Sequence, residues 1–422
     1  MNKYDVVIIG GGISGLSAAH YLKQEGLKIM LVEAEKRVGG RMKTDNVEGY
    51  LLDKGFQVLS TAYPECQKLL DYDALELRNF YPGAKIYHKH AFYQFADPFK
   101  KPIDSLRKLN NSLSNFGDKL KIVALRNRTR RLSIEQLFEE DEKPTIDLLR
   151  EWNFSDEIIN SFFKPYLGGI FLEPDLLTSS RMFHFVFKMF GKGYAALPKN
   201  GMESIPKQLA ARLNEDELQL GTTAKQIEDG RVLLDNGEEL STSVVLVATD
   251  AHSAAKLIPS YDIDVTMNSV RCLYFTADEP LDKQAILYLN GNTEGWINNI
   301  VVPTSLQKSY APKGKTLISV SVIKPCNLTD TELYIAVREE LRTWFGENIV
   351  SQWIHLKTYS IENALPAQPT INYPKEKEIK PIAKGVFMCG DHVHDSSING
   401  AIRSGRITAD AISWHLALTV NQ

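Results

Sequence analysis

Cysteine is scarce in this sequence. Its 422 residues hold four, Cys66, Cys272, Cys326 and Cys389, and no two of them form a C-x-x-C pair. That scatter argues against a disulfide framework and against a cysteine zinc site. A reduced, intracellular setting is expected instead. No run of 18 or more apolar residues occurs, so no membrane-spanning helix is expected. The opening "MNKYDVVIIGGG" has no charged region, long apolar core or cleavage site. A secretory signal is therefore not expected, and a cytoplasmic location is. Neither sign of charge dominates: 49 basic against 52 acidic residues leave a net charge of -3. Nucleic acid is thus not an expected partner. No fixed-period repeat and no low-complexity stretch is visible.

Apolar residues make up 43% of the chain, enough for true cores, and the length suits two or three domains. The most informative stretch is the first. "YDVVIIGGGISGLSAAHYLKQEGLKIMLVE" reads as strand, tight turn, helix, strand. Val6 to Ile9 form a continuous apolar run, as in a parallel strand buried on both faces. Gly10, Gly12 and Gly15 complete G-x-G-x-x-G. The first glycine serves the turn, the second lets a pyrophosphate approach the backbone, and the third lets the helix pack on the sheet. Ser14 lies inside this turn. Glu33 ends the second strand 18 residues beyond Gly15, about where a carboxylate bonds the ribose hydroxyls. An acid there disfavours a 2′-phosphate. A dinucleotide site is expected.

The fingerprint does not separate NAD from FAD. Next come Ala34, Arg37 and the "GGR" of Gly39, Gly40 and Arg41, then "LLDKGFQVLS" with Gly55, Phe56 and Gln57. A glycine pair lets the chain pass close to a bulky group, and an arginine can neutralise a diphosphate. Taken singly, each could also be a plain loop or a surface arginine. The C-terminal "MCGDHVHDSSINGAIRSGRITADAI" crowds Asp, His and Ser residues together. His392 and His394 have the H-x-H spacing of two zinc ligands. No third ligand cluster accompanies them, and no metal is expected. Neither "GISGL" nor "DSSING" has the G-x-S-x-G pattern of a serine hydrolase.

Together, "VVIIGGGISGLSAAHYL", "EKRVGGRMKT", "DKGFQVL", "LPKNGMESIPKQLAARL", "LVATDA" and "GDHVHDSSINGAIRSGRITADAI" resemble the flavin-containing amine oxidoreductase superfamily. That group includes monoamine oxidases, protoporphyrinogen oxidases and phytoene desaturases. The resembling segments run from residue 6 to 412. The resemblance implies an α/β fold: a Rossmann-like FAD-binding domain of the glutathione-reductase type with an inserted α+β substrate domain. It implies a discontinuous FAD domain over 1–95, 195–255 and 380–422, and a substrate domain over 96–194 and 256–379. It implies non-covalent FAD, since no cysteine sits in a tethering motif. Glu33 would hold the adenosine ribose, with Arg37 and Arg41 near the adenine side and diphosphate. Ala224 and Ala248 would meet the cofactor through the backbone. Gly390 and Asp391 would lie beside the ribityl chain. Ser397, Ile398 and Asn399 would open a helix facing the isoalloxazine. Hydride would pass from substrate to flavin N5, with oxygen or a quinone as electron acceptor. His392 and His394 are the candidate substrate-facing side chains.

The aromatic-rich stretch from Phe162 to Tyr194 resembles the desaturase-like members more than the monoamine oxidases. A largely apolar substrate is therefore expected. An oxygen-using amine oxidase, and a non-redox flavoprotein acting as isomerase or scaffold, are the alternatives. Residues 98–131 carry ten basic residues against Asp104 and Asp118, a net of +8 that leaves the remainder near -11. Ile103, Leu106, Leu109, Leu113, Phe116, Leu120 and Val123 recur at steps of three and four. This reads as an amphipathic basic helix or helix pair. Peripheral contact with an anionic membrane and an ordinary solvated helix face are both open.

Overall fold

The computed structural model describes residues 3–101, 113, 115–259, 261 and 265–420. One seven-stranded sheet is built around the N-terminal fingerprint. Strand Lys3–Ile9 pairs in parallel with Ile29–Glu33 on one side and with Glu239–Val247 on the other. Leu218–Leu220 adds a parallel strand beyond Ile29–Glu33. Val6, Val7 and Ile8 are fully buried, as the unbroken apolar run requires, because helices and strands cover both faces.

Strand Glu239–Val247 is shared. Its first residues pair antiparallel with Arg231–Leu234, and its last pair in parallel with Val386–Met388. The expected hairpin before it is formed by Ala224–Glu228 and Arg231–Leu234. Asp229 and Gly230 make its turn with φ of 43° and 72°, the left-handed pair a two-residue hairpin needs.

The closing helix, Ile398–Val420, lies directly on the first helix, Ile13–Gln24. Their backbones touch at Gly405, where a Cβ would stand 2.3 Å from the Ser14 carbonyl oxygen. The Ser17 hydroxyl donates to the Ile402 carbonyl at 3.0 Å across the same contact.

A second seven-stranded sheet is mostly antiparallel. It runs from Ile354–Pro366 through Met267–Ala277, Thr316–Val322, Asn299–Val301 and Leu287–Asn290 to Gly83–His88 and Ala91–Ala96. The last two strands fall within the expected 1–95 segment, yet they are hydrogen-bonded into this sheet through Leu287–Asn290. Helices between Phe116 and Lys192 pack into one apolar cluster with Phe163, Phe183 and Phe185 at its centre. Ile159–Phe163 forms one turn of π-helix.

The basic segment differs from its expected pattern. Ile103, Leu106, Leu109, Asp104, Arg107 and Lys108 lie outside the described residues. In the helix Phe116–Arg131, Phe116 and Leu120 point outward, 75% and 55% exposed. Asp118 is the fully buried residue of the first turn. Its carboxylate accepts from the Asn115 backbone N–H, and from the backbone N–H (3.1 Å) and hydroxyl (2.6 Å) of Ser155. A charged side chain is buried only where such donors satisfy it. Of the described stripe residues, Phe116 and Leu120 therefore face out, whereas Leu113 is fully buried and Val123 is half-buried. Among the described residues, no helix is long and apolar enough to cross a membrane.

Candidate active site

The carboxyl ends of the parallel strands face a cavity of about 1410 Å³. Ligands bind at this edge of open α/β sheets, where neighbouring strand order reverses. The fingerprint turn forms its floor. Gly12 has extended backbone, φ -75° and ψ 177°, and a Cβ there would meet nothing within 4 Å. The glycine is thus not required by the protein's own packing; the space above it is free for a ligand. Gly15 is different, since a Cβ would lie 2.0 Å from the Gly10 carbonyl oxygen. The Gly39 N–H donates to the Gly11 carbonyl at 2.8 Å, seating the "GGR" loop on the fingerprint turn.

Glu33 accepts from the Gly11 N–H at 2.6 Å and from the Glu35 N–H at 2.8 Å. Its carboxylate is held at the cavity edge beside Ala34. Arg41 donates to the Asp391 carboxylate at 2.6 Å and to the Ala364 carbonyl at 3.2 Å. The Gln57 amide NH₂ donates to the Arg41 carbonyl at 3.1 Å, so "GGR" and "GFQ" are tied together. At the far end of the chain, the Ser404 hydroxyl accepts from the Gly390 N–H at 3.0 Å. Ser397 caps the closing helix: its hydroxyl accepts from the Gly400 N–H at 2.9 Å and donates to Asp395. A helix N-terminus presents unpaired N–H groups and a positive dipole end, suited to an electron-rich group.

Gly10, Gly12, Ser14, Glu33, Ala34, Gly39, Gly40, Arg41, Gly55, Phe56, Gln57, Ala224, Ala248, Gly390, Asp391, Ser397 and Ile398 all line this one cavity. Three residues expected at the cofactor do not. Gly15 serves helix-on-turn packing. Arg37 turns away to Asp45 at 2.6 Å and to the Thr44 carbonyl. Asn399 is buried, its side-chain oxygen accepting from the Glu65 N–H at 3.0 Å. Asp250, which lies in the segment "LVATDA" but is not among the expected cofactor residues, lines the cavity too, as do Asn363 and Leu365, which nothing local in the sequence marks. Asp250 caps the short helix Ala251–Leu257 through Ser253. Asn363 and Leu365 arrive on the long strand of the second sheet.

The two histidines are not on the cavity wall. His394 is buried, with Nδ1 2.8 Å from Asp395 Oδ2. Its Nε2 meets the Arg403 guanidinium, which can only donate. Arg403 in turn stacks 4.1 Å from the Tyr373 ring centre. His394 thus bolts the closing helix to the segment around Tyr373. His392 lies under Gly390, whose Cβ position is 2.5 Å from the imidazole. Burial holds its pKa below the ordinary value. His394→Ala is expected to cost about 2–4 kcal/mol in urea unfolding, because Asp395 and Arg403 lose their link. Flavin content and reduction rate should be unchanged in both His394→Ala and His392→Ala. A slowed reduction with unaltered stability would restore the substrate-facing role.

Much of the remaining wall is aromatic. Of the aromatic-rich stretch, Phe162, Phe163, Tyr166, Phe183, Phe187, Phe190 and Tyr194 reach the cavity, whereas Phe171 and Phe185 are core. None of the four cysteines lines it. Cys66, Cys272 and Cys389 are buried, and burial pushes their thiols up. The family model for flavin containing amine oxidoreductases matches residues 13–413. The chain belongs to that family. Members of the flavin-containing amine oxidoreductase family are flavin-dependent oxidoreductases, and FAD is the cofactor. The chain is 25% identical over 179 residues to protoporphyrinogen oxidase 2 of Arabidopsis thaliana, 42% of this chain. That match spans about a third of the relative's own length, 35%. The fold is shared with putrescine oxidase (TM-score 0.72, 17% identity, 97% of this chain and 99% of that one). It is shared as well with cyclohexylamine oxidase of Brevibacterium oxydans IH-35A (TM-score 0.72, 16% identity, 99% and 100%).

Proposed function

We propose that the protein is an FAD-dependent oxidoreductase that removes hydride from a largely apolar small molecule. The observation that carries this reading is the continuity of the cavity: one end is the glycine turn with Glu33, the other is walled by aromatic rings. Its volume exceeds the 300–1,000 Å³ or so typical of a single small-ligand pocket, so cofactor and substrate fit side by side. FAD, when bound, supplies the hydride acceptor. The chain's own part is placement. The fingerprint turn, Glu33 and the Arg41–Asp391 pair would hold the nucleotide and diphosphate. The N-terminus of the closing helix would face the flavin ring, where its dipole favours the charge gained on reduction. The aromatic wall would orient the substrate and keep water out. Attachment is non-covalent in this reading, which the absence of a lining cysteine supports. We further take the first sheet with the closing helix as the cofactor unit, and the second sheet with the helical cluster as the substrate unit.

The purified protein is expected to be yellow, with flavin bands in the visible spectrum. Denaturation should release FAD into solution. Anaerobic mixing with a panel of amines, porphyrinogens and polyenes should bleach the bands only with apolar members. A colourless protein that takes up no added FAD would end this reading, and bleaching by amines alone would replace it with amine oxidation.

A further inference from the structure

Two phenols in the cavity wall have no part in the proposed function so far. Tyr63 and Tyr166 both line the cavity. Neither hydroxyl has a hydrogen-bond partner among the described residues. Other buried phenols of the fold are paired: Tyr274 and Tyr310 donate to Asp53, Tyr288 to Asp282 and Tyr359 to Asp45. The Tyr72 hydroxyl is unpaired as well, but its oxygen is sealed among protein atoms away from the cavity. The oxygens of Tyr63 and Tyr166 are not sealed, so the contents of the cavity can reach them. Nearby polar groups are already engaged. On the same wall, Asn299 accepts from Asn298 at 2.9 Å and donates to Ser321 at 3.4 Å, and Gln94 donates to Gln284 at 3.2 Å. The Asp395 carboxylate, near Tyr63, is held by Ser397 and, at 2.8 Å, by His394.

Both rings are held in place by their neighbours. Tyr63 stacks on Phe185, with planes within 1° and centroids 5.8 Å apart. Tyr166 lies along Phe162 at 5.3 Å and meets Phe190 edge-on at 5.8 Å. Tyr63 precedes the short helix Pro64–Leu69, whose Glu65 N–H donates to Asn399 of the closing helix. Tyr166 belongs to the helix Lys164–Phe171. Burial raises the pKa of both phenols; Cys66, Asp395 and Tyr166 add to the effect at Tyr63, and Asp97 at Tyr166. The two phenols are thus close enough to feel one another, and both stay neutral and able to donate. Such a wall discriminates by what it leaves unpaired. A hydrocarbon filling the chamber would keep water from both hydroxyls and pair neither. Neutral donors offer a carboxylate or an ammonium no opposite charge. A carbonyl oxygen, with two lone pairs, can accept from both.

We infer that the substrate carries an uncharged carbonyl oxygen on its apolar body, and that the Tyr63 and Tyr166 hydroxyls both donate to that oxygen. This rests on the reading of the aromatic end as the substrate chamber. It makes the two phenols specificity-determining residues, which separate carbonyl compounds from hydrocarbons and from charged analogues of the same shape. Because Tyr63 stands beside the start of the closing helix, the same bonds fix which part of the substrate lies there.

The test uses the FAD-loaded protein and three probes with one skeleton: a conjugated polyene methyl ketone, the parent hydrocarbon and the corresponding carboxylate. Binding is followed by probe fluorescence, and the carbonyl stretch of the bound ketone by infrared difference spectra. Flavin content is measured on the same samples. The ketone is expected to bind at least about tenfold tighter than hydrocarbon or carboxylate, with its carbonyl stretch moved to lower frequency. Tyr63→Phe and Tyr166→Phe keep the rings. Each should weaken ketone binding by about fivefold, move the carbonyl band back up and retain the flavin. A hydrocarbon or carboxylate binding as tightly as the ketone would overturn the inference. So would both variants with full flavin, undiminished ketone affinity and an unmoved carbonyl band. Failure of the broader reading would show separately, as protein without flavin.

Discussion

Gly12→Val is expected to fold normally and to hold almost no FAD. The two halves of this outcome have separate causes. Gly12 sits in extended backbone, φ -75°, which a β-branched residue adopts readily. The new Cβ meets no protein atom within 4 Å, so packing is undisturbed. The space it enters is the one a pyrophosphate needs when it lies against the backbone at the start of a helix. Affinity should fall by about 100-fold or more, about 3 kcal/mol. Flavin per chain, read from the visible spectrum after gel filtration, should drop to a trace while thermal unfolding stays near that of the parent. Gly15→Val is the contrast. Its Cβ would stand 2.0 Å from the Gly10 carbonyl, so the helix must move off the turn, and the variant should lose stability as well as flavin. Full flavin in Gly12→Val would remove the diphosphate from the assigned turn.

The second large effect concerns Asp53, which is 5% exposed. Its Oδ1 accepts from the Thr44 hydroxyl at 2.5 Å and from the Met202 N–H at 2.9 Å. Its Oδ2 accepts from the Tyr310 hydroxyl at 3.1 Å, and its backbone carbonyl from Tyr274 at 2.7 Å. The residue joins the loop leading into Gly55–Gln57 to Tyr274 on the second sheet and to Tyr310. Burial, against these hydrogen bonds, pushes its pKa up from 3.8 to about 6. The folded state thus holds the proton more tightly than the unfolded one. The contribution is fully present below pH 4 and is lost as pH rises through 6. The cost of the ionised form at neutral pH is about 3 kcal/mol.

Asp53→Asn should flatten the pH dependence of stability between pH 4 and 6, and should match or exceed the parent at pH 7.5. Its amide oxygen can keep the Thr44 and Met202 bonds, and the Tyr310 hydroxyl can turn to accept from the NH₂. Asp53→Ala leaves three buried donors unpaired and should lose about 2–4 kcal/mol. Urea midpoints at pH 4.5 and 7.5 decide it. An Asn variant with the parent's pH slope would show that Asp53 is not the titrating group.

What the sequence revealed follows how local the signal was. The strand from Lys3 to Ile9, the glycine turn and Glu33 lie within about thirty residues, and each local preference agrees with the next. The Asp229–Gly230 hairpin is equally local. The Arg41–Asp391 pair joins residues 350 apart, and only the family resemblance brought them together. Strand Gly83–His88 could not be assigned to its sheet, because its partner, Leu287–Asn290, is four residues long and lies some two hundred positions away. The helix Phe116–Arg131 misled for another reason. Its apolar spacing was real, but the stripe is split: Leu113 is fully buried and Val123 lines the cavity, while Phe116 and Leu120 face outward. A period shows that a face exists and cannot show which of its residues the rest of the fold will cover. The histidines of "GDHVHD" stand close in sequence, but neither lines the cavity, and His394 is buried between Asp395 and Arg403.

The contact at Gly405 has a consequence for biosynthesis. The first helix is finished by Gln24, but the backbone it packs against arrives with Gly405, and Val386–Met388 must pair with a strand laid down near residue 245. At typical elongation rates some 20 to 80 s separate the emergence of the glycine turn from that of its last supports. Throughout that interval the apolar face of the first helix has no closing partner. The nascent chain is therefore exposed to sticking and to chaperone capture for most of its synthesis, and the cofactor can be locked in only at the end.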